Sequence, residues 1–332
     1  MEIPCEIYSI ALEYLRAKDV SRFRAVSKEH CRASQVYEGD DTPIKQVDKW
    51  RRCFPKAKVV NLTGNFNADE NDFIYFTQVI DLTISLSRIR LIDNLFLNLQ
   101  HLKHLNLLGY ENDITPFQDG HCKHLTNLKS LTLGYYYAVT DDGLLTLTQL
   151  EELTLRSCKE ITSRSIRGMK RLKRLEMYKP ELLTDDAFEG SNLEEIKITY
   201  SKLLSDRGIC HLKRLKKLTC FSTPNVIGKG FHSLLELNSL WLSDIHIRKN
   251  ECMEFINIRE LHFYNCTVEC NTYPWKKTEA IYFYECKILN LYALDQLNTI
   301  PSLKKFGLFR FDANKHQISR LQSLFGNKMM TY

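Results

Sequence analysis

Cysteine and histidine are the residue types here that could ligate a metal or serve as nucleophile and base, and the chain has eleven and ten of them. Their spacing supports neither use. No C-x-x-C occurs; the nearest approach is Cys266-x-x-x-Cys270, with no histidine pair placed after it, whereas zinc sites pair their ligands at close spacing. His101 and His104 stand three apart on the approach to a strand, and His121 and His124 flank Cys122; neither set builds a tetrahedron. A phosphate-cradling glycine loop, H-E-x-x-H and a serine elbow are all missing. The sequence therefore predicts no catalytic residue, no metal and no cofactor. Two residue classes remain, and both bind rather than react. Phe221, Trp241, His262, Tyr264, Tyr282, Tyr284 and Phe309 gather in the last third of the chain, and Trp and Tyr are enriched among binding hot spots. Basic groups at Lys170, Arg171, Lys173 and Arg174, and at Lys213, Arg214, Lys216 and Lys217, could grip an anion. Glu151, Glu152, Glu194 and Glu195 interrupt them, which favours a solvated face over a nucleic-acid strip.

The aromatic residues recur at the spacing of the whole chain. Leu128–Gly134 reads L-K-S-L-T-L-G and Leu150–Cys158 reads L-E-E-L-T-L-R-S-C. The middle apolar position of L-x-x-L-x-L falls at Val60, Ile80, Leu105, Leu131, Leu153, Leu175, Ile196, Leu218, Leu240, Leu261, Ile281 and Phe306, at steps of 20 to 26 residues. A fixed period of that length resembles the leucine-rich repeat family, over about Phe54 to Phe325. The resemblance implies an α/β solenoid of about 12 short repeats with a parallel sheet on its concave face. Each motif is then a strand with its leucines inward, and Thr140–Thr148, Thr162–Met169, Thr184–Phe188 and Ser205–Leu212 begin with helix N-caps. Tyr110–Cys122 reads as an enlarged loop. In cysteine-containing repeats of this family the position of Cys158, Cys266 and Cys286 is a buried turn residue.

Three outward columns follow from the period. Glu152, Arg174, Glu195, Lys217, Ser239 and Glu260 alternate in sign, which predicts mutual neutralisation across strands about 4.8 Å apart. The column between the motif apolar positions is polar early and becomes Trp241, His262 and Tyr282 late; the column after them carries Phe221, Tyr264, Tyr284 and Phe309. These seven residues are the predicted substrate surface, since a contiguous exposed aromatic patch marks an interaction site. A catalytic accessory role through a protruding arginine would fall to Arg164 or Arg167.

Composition adds bounds. The chain of 332 residues is 44% hydrophobic and 26% charged, with net charge +6, which is ordinary globular usage. No apolar run approaches the roughly 20 residues of a membrane span. Met1–Arg16 carries glutamates and a proline within its apolar run, unlike a secretory leader. The expected setting is cytoplasmic or nuclear, with reduced thiols.

Residues 1–38 do not fit the repeat. Pro4 suits a first helical turn, and Ile7, Ile10, Tyr14 and Leu15 share a helical face. Ile3, Pro4, Glu6, Ile7, Leu15, Asp19, Val20, Val26 and Lys28 fall without a gap on L-P-x-E-I-(x)7-L-(x)3-D-L-(x)5-V-C-K-x-W, so the segment resembles an F-box, a small all-α module. Ser27 and His30 depart from it, His30 standing where the family has tryptophan. Residues 39–55 read as a linking amphipathic helix with Ile44, Val47, Trp50 and Phe54 on one face. The repeats occupy 56–315, and 316–332 form a terminal cap helix, with Ile318, Leu321, Leu324 and Phe325 on one face, and a fraying tail. The two resemblances together imply the substrate-recognition subunit of a Skp–cullin–F-box ubiquitin ligase, non-catalytic itself. Ile3, Pro4, Ile7, Leu15, Val20, Val26 and His30 would meet a Skp-type adaptor and, through it, a cullin; the concave face would hold a protein target, with neither nucleic acid nor membrane as partner. The alternative is a leucine-rich-repeat binding or inhibitor module without ligase coupling.

Overall fold

The computed structural model describes residues 58–62, 76–85, 96–108, 117–134, 137–156, 159–248, 255, 257–269, 273, 275–310 and 315–331. The F-box-like segment with Ile3, Pro4, Ile7, Leu15, Val20, Val26 and His30, the linking helix and Cys158 lie outside them. The chain forms two compact units, Met1–Arg156 and Ser157–Tyr332.

In the first unit, β1 (Val59–Leu62), β2 (Asp81–Ser85), β3 (His104–Leu108), β4 (Ser130–Leu133) and β5 (Glu152–Arg156) pair in parallel in chain order. Leu105 is aligned with Leu131 and Leu131 with Leu153, as the period predicts. The second repeat is a correction. Val60 is aligned with Leu82, and Leu82 with Leu105, so the middle position is Leu82 and the residue beyond it Ile84, two later than Ile80 and Leu82. The stretch Ile80–Ile84 alternates apolar and polar, so both registers turn leucine and isoleucine to the same side. The pairing takes the one that divides Val60 to Leu105 more evenly, burying Leu82 and Ile84 and leaving Ile80 half-buried. The described end of the expected loop, Phe117–Gln118, is a short strand on Tyr137–Ala138, followed by helix α1 (Asp119–Cys122).

In the second unit, β6 (Arg174–Tyr178), β7 (Glu195–Thr199), β8 (Lys217–Phe221), β9 (Ser239–Ser243), β10 (Glu260–Tyr264), β11 (Ala280–Tyr284) and β12 (Lys305–Phe309) continue the same scheme, with Leu175, Ile196, Leu218, Leu240, Leu261, Ile281 and Phe306 aligned. The tail does not fray: Met329–Thr331 forms β13, aligned with Phe306–Leu308. Helix α5 (Lys315–Phe325) turns Leu321 and Phe325 inward, with the Phe325 ring 4.3 Å from Phe306, and leaves Leu324 exposed.

The return segments show why Thr, Ser and Asp begin them. Helices α2 (Asp141–Thr146), α3 (Ser163–Gly168) and α4 (Asp206–Ile209) are capped by Thr140, Thr162 and Ser205, whose hydroxyls accept from the backbone N–H groups of Asp142, Arg164 and Arg207. Asp185–Phe188 closes as a 3-10 turn. The first residue of one return segment grips the next: Asp185 accepts from Ser205 N at 2.7 Å and from its hydroxyl at 2.6 Å, as Asp119 accepts from Thr140 at 2.8 and 2.7 Å. That grip needs space. A Cβ on Gly208 would sit 2.7 Å from Asp185 Oδ1, and one on Gly143 would sit 2.1 Å from Asp119 Oδ1, so the S/T-D-x-G pattern is a packing requirement. Later repeats add short strands at His246–Ile247, Thr267–Val268 and Lys287–Ile288, paired with one another, the last followed by a 3-10 helix at Leu291–Thr299.

Every strand from β6 to β12 ends in the same turn. Lys179, Tyr200, Ser222, Asp244, Asn265, Glu285 and Arg310 have φ between 49° and 60°, which side chains other than Asn and Asp rarely adopt. In five of them the N–H donates to the last residue of the next strand: Lys179 to Thr199, Tyr200 to Phe221, Asp244 to Tyr264, Asn265 to Tyr284 and Glu285 to Phe309.

Gly143→Ala is expected to lower stability by about 1–3 kcal/mol in urea unfolding, and Asp119→Ala by a similar amount. The double variant should lose less than the sum, because the contacts at 2.1 and 2.7 Å are both with the Asp119 carboxylate and removing it leaves the new methyl nothing nearer than 3.0 Å. Strict additivity would contradict the packing account.

Candidate functional site

Strand alternation sends Trp241, His262, Tyr282, Tyr264, Tyr284 and Phe309 to the face opposite the leucines. Parallel register places Trp241 beside His262, His262 beside Tyr282, and Tyr284 beside Phe309. At strand spacing, planar rings in one row can stack, and these do. Trp241 lies 3.5 Å from His262 at 8°, His262 lies 4.5 Å from Tyr282 at 24°, and Tyr284 lies 4.7 Å from Phe309 at 10°. Tyr282 and Tyr284 link the two rows at 6.2 Å. Gly307 is where the first row stops. A Cβ there would sit 2.5 Å from Phe309 and 2.6 Å from Tyr282, whose rings close over the glycine.

The stack changes which members of the predicted surface can touch a partner. His262 and Tyr282 are only 5% and 8% exposed, because neighbouring rings cover them; they are spacers, not contacts. Trp241, Tyr284 and Phe309 are half-buried and offer their free rims. Tyr264 is 41% exposed and stands off the stack, its hydroxyl drawn to Glu285, which raises its pKa. Phe221 is separated from Tyr264 in its row by Ser243 and joins no ring pair among the described residues.

Beside the strip runs an open groove of about 590 Å³. Ser239 and Ala280 form its floor, being the small members of a row otherwise made of Glu195, Lys217, Glu260 and Lys305; Lys216, Asn238, Arg259, Glu279 and Lys304 make the far wall and Tyr282 the near one. Most of its charges cancel as the alternation predicts. Glu195 meets Arg174 at 3.2 Å and Lys217 at 3.1 Å, and Glu279 meets Lys304 at 2.7 Å. The Lys304 ammonium beside Glu279 holds that carboxyl below its usual range. Arg167, a candidate for a protruding arginine, is held by Asp186 at 3.2 Å and Glu189 at 3.7 Å.

A leucine-rich-repeat protein of Leptospira interrogans superposes with a TM-score of 0.60 at 17% identity, covering 92% of this chain and 86% of that one. An internalin of Listeria monocytogenes gives 0.52 at 14% identity, covering 95% and 99%. The Drosophila Toll–Spatzle complex gives 0.51 at 12% identity, where this chain spans about half of the matched chain, 53%. The fold is the leucine-rich repeat. No protein-family model and no curated protein matches the sequence.

Among the described residues, Cys122, Cys220, Cys266 and Cys286 are buried in the leucine-rich repeats. Cys266 donates to Tyr264 O at 3.3 Å and Cys286 to Phe263 O at 3.2 Å, and Cys266 N donates to the Cys286 sulfur at 3.4 Å. The hydrogen bond with Cys286 and then burial push the Cys266 thiol up; burial pushes Cys122 and Cys220 up to about 12. Thiols so protonated are poor nucleophiles. Among the described residues no cluster of His, Cys, Asp and Glu could hold a metal, and no helix is long and apolar enough to cross a membrane.

His262 makes the strip sensitive to pH. Burial lowers its pKa from 6.5, while the Glu260 carboxylate, 3.1 Å from Nε2, pulls the other way. The unfolded chain therefore binds this proton first as pH falls, and stability is lost below the ordinary histidine pKa. Wild type is expected to lose stability between pH 7 and pH 5 more steeply than His262→Phe, read by urea midpoints. An NMR titration placing His262 at or above 6.5 would refute the assignment.

Proposed function

We propose that this protein is a non-catalytic receptor that binds another protein on the outward sheet face of its late repeats and couples it, through its N-terminal segment, to a Skp–cullin–F-box ubiquitin ligase. The observation that carries the binding half is the ring strip from Trp241 to Phe309. Its apolar rims lie on strands fixed by hydrogen bonds on both sides, and rigid aromatic anchors are what protein interfaces use as hot spots. The Toll–Spatzle structure is a complex of a protein with this fold, which agrees with such a use. The coupling half rests on the F-box resemblance of residues 1–38, with Ile3, Pro4, Ile7, Leu15, Val20, Val26 and His30 as the adaptor contacts. A receptor of this kind breaks no bond; it holds a target at a set distance from the conjugating enzyme and works in the cytoplasm or nucleus, where the ligase does.

A second reading is favoured by one residue. His30 replaces the tryptophan that F-boxes press against the adaptor, and a polar ring there weakens an apolar contact. The protein would then be a binding or inhibitor module without ligase coupling. Co-purification with a recombinant Skp-type adaptor separates the two. Stoichiometric recovery with wild type, reduced at least tenfold by Leu15→Asp plus Val26→Asp, is the expected result. Failure of wild type to retain the adaptor removes the ligase half.

A further inference from the structure

The groove beside the strip carries a positive excess, with Lys216, Lys217, Arg259, Lys304 and Lys305 against Glu195, Glu260 and Glu279. Lys217 and Lys304 are occupied by Glu195 and Glu279, whereas Arg259 and Lys305, exposed on the same groove, form no close ion pair among the described residues, Arg259 adding only a longer-range pull on the Glu279 carboxyl. They approach the floor from opposite sides. Lys305 of β12 stands beside Ala280 of β11 in one row, with Glu260 of β10 on the other side of that alanine, and Arg259 immediately precedes Glu260, one residue off on the diagonal; the Arg259 and Lys305 backbones are roughly 10 Å apart, two strand spacings. At Ala280 the row drops from long charged side chains to a methyl group, leaving a gap both cations can reach across. The space is bounded in charge as well as size. Glu260 lines it too, with Oε1 3.1 Å from His262 Nε2, and Glu195 and Glu279 interrupt the positive surface. A polyanion needs a continuous basic track; two cations over a neutral floor, fenced by acids, match one anionic side chain.

We propose that this groove takes a single aspartate or glutamate side chain of the protein target, held above Ala280 between Arg259 and Lys305, while adjacent apolar residues of the same segment rest on the strip. The proposal rests on the strip being the protein-binding face and names the chemistry of what binds there. Charge-assisted hydrogen bonds to a carboxylate supply register, and the ring rims supply contact area.

The test probes the full chain on an array of immobilised decapeptides, each acidic member paired with its amide counterpart. Acidic members with an aromatic or aliphatic neighbour are expected to be retained over their amides. Lys305→Ala and Arg259→Ala, each at an exposed position and checked for an unchanged thermal midpoint, should each reduce that retention roughly tenfold. Glu260→Gln should increase it, since it removes a repelling charge. Trp241→Ala should weaken acidic and amide members alike. Equal retention of acid and amide, still lost in Trp241→Ala, overturns the carboxylate site and leaves the strip standing. No retention of any peptide by wild type overturns both. Capture of a labelled single-stranded DNA that Lys305→Ala abolishes, without any acid preference among peptides, assigns the groove to a polyanion and also overturns the proposal.

Discussion

Among the described residues, no strand of the long sheets is paired within its own repeat. A four- or five-residue strand has a row of N–H and C=O groups on each edge, and leaving them unpaired in a core would be expensive. Each row is met by the strand one period earlier or later, so register between neighbours is the constraint on which everything else hangs. It fixes which side chains are inward, it lines up the caps that Asp119 and Asp185 grip, and it brings Trp241, His262 and Tyr282 into contact. Stability in such a chain is a sum over repeats and the junctions between them, and the ends need special treatment. Phe325 on Phe306, with Met329–Thr331 along β12, closes one of them.

How much of this the sequence discloses depends on how local the cause is. The strands from β3 to β12 are legible because leucine-type residues recur with nothing competing. Ile80–Ile84 is misread because two registers satisfy the same alternation, and only the pairing with Val60 and Leu105 chooses between them. Met329–Thr331 is missed since three residues are too few to show a period. Five of the seven left-handed turn residues are Lys, Tyr, Ser, Glu and Arg, types with no leaning toward positive φ; tertiary hydrogen bonding overrides their preference, and only Asn265 and Asp244 carry a local hint.

The surface divides in the same way. That aromatic residues gather on one face is visible from the period alone. Which of them stay accessible is not, because the burial of His262 and Tyr282 depends on ring planes turning face to face. The groove was equally hidden. The sequence shows a mixture of lysines and glutamates, but which lysine each glutamate takes, and that Arg259 and Lys305 have no close ion pair among the described residues, is decided by side-chain reach across three strands.

The ring stack also bears on thermodynamics. A large side chain that becomes ordered only on binding surrenders rotational freedom at that moment, at a cost near 0.5–1.5 kcal/mol. Here Trp241, Tyr284 and Phe309 are clamped by their neighbours before any partner arrives, so that loss was absorbed when the chain folded. A surface prepared in this way cannot reshape itself to accommodate many targets. In the proposed receptor role it would accept a partner whose contour already matches, with the selectivity of a mould.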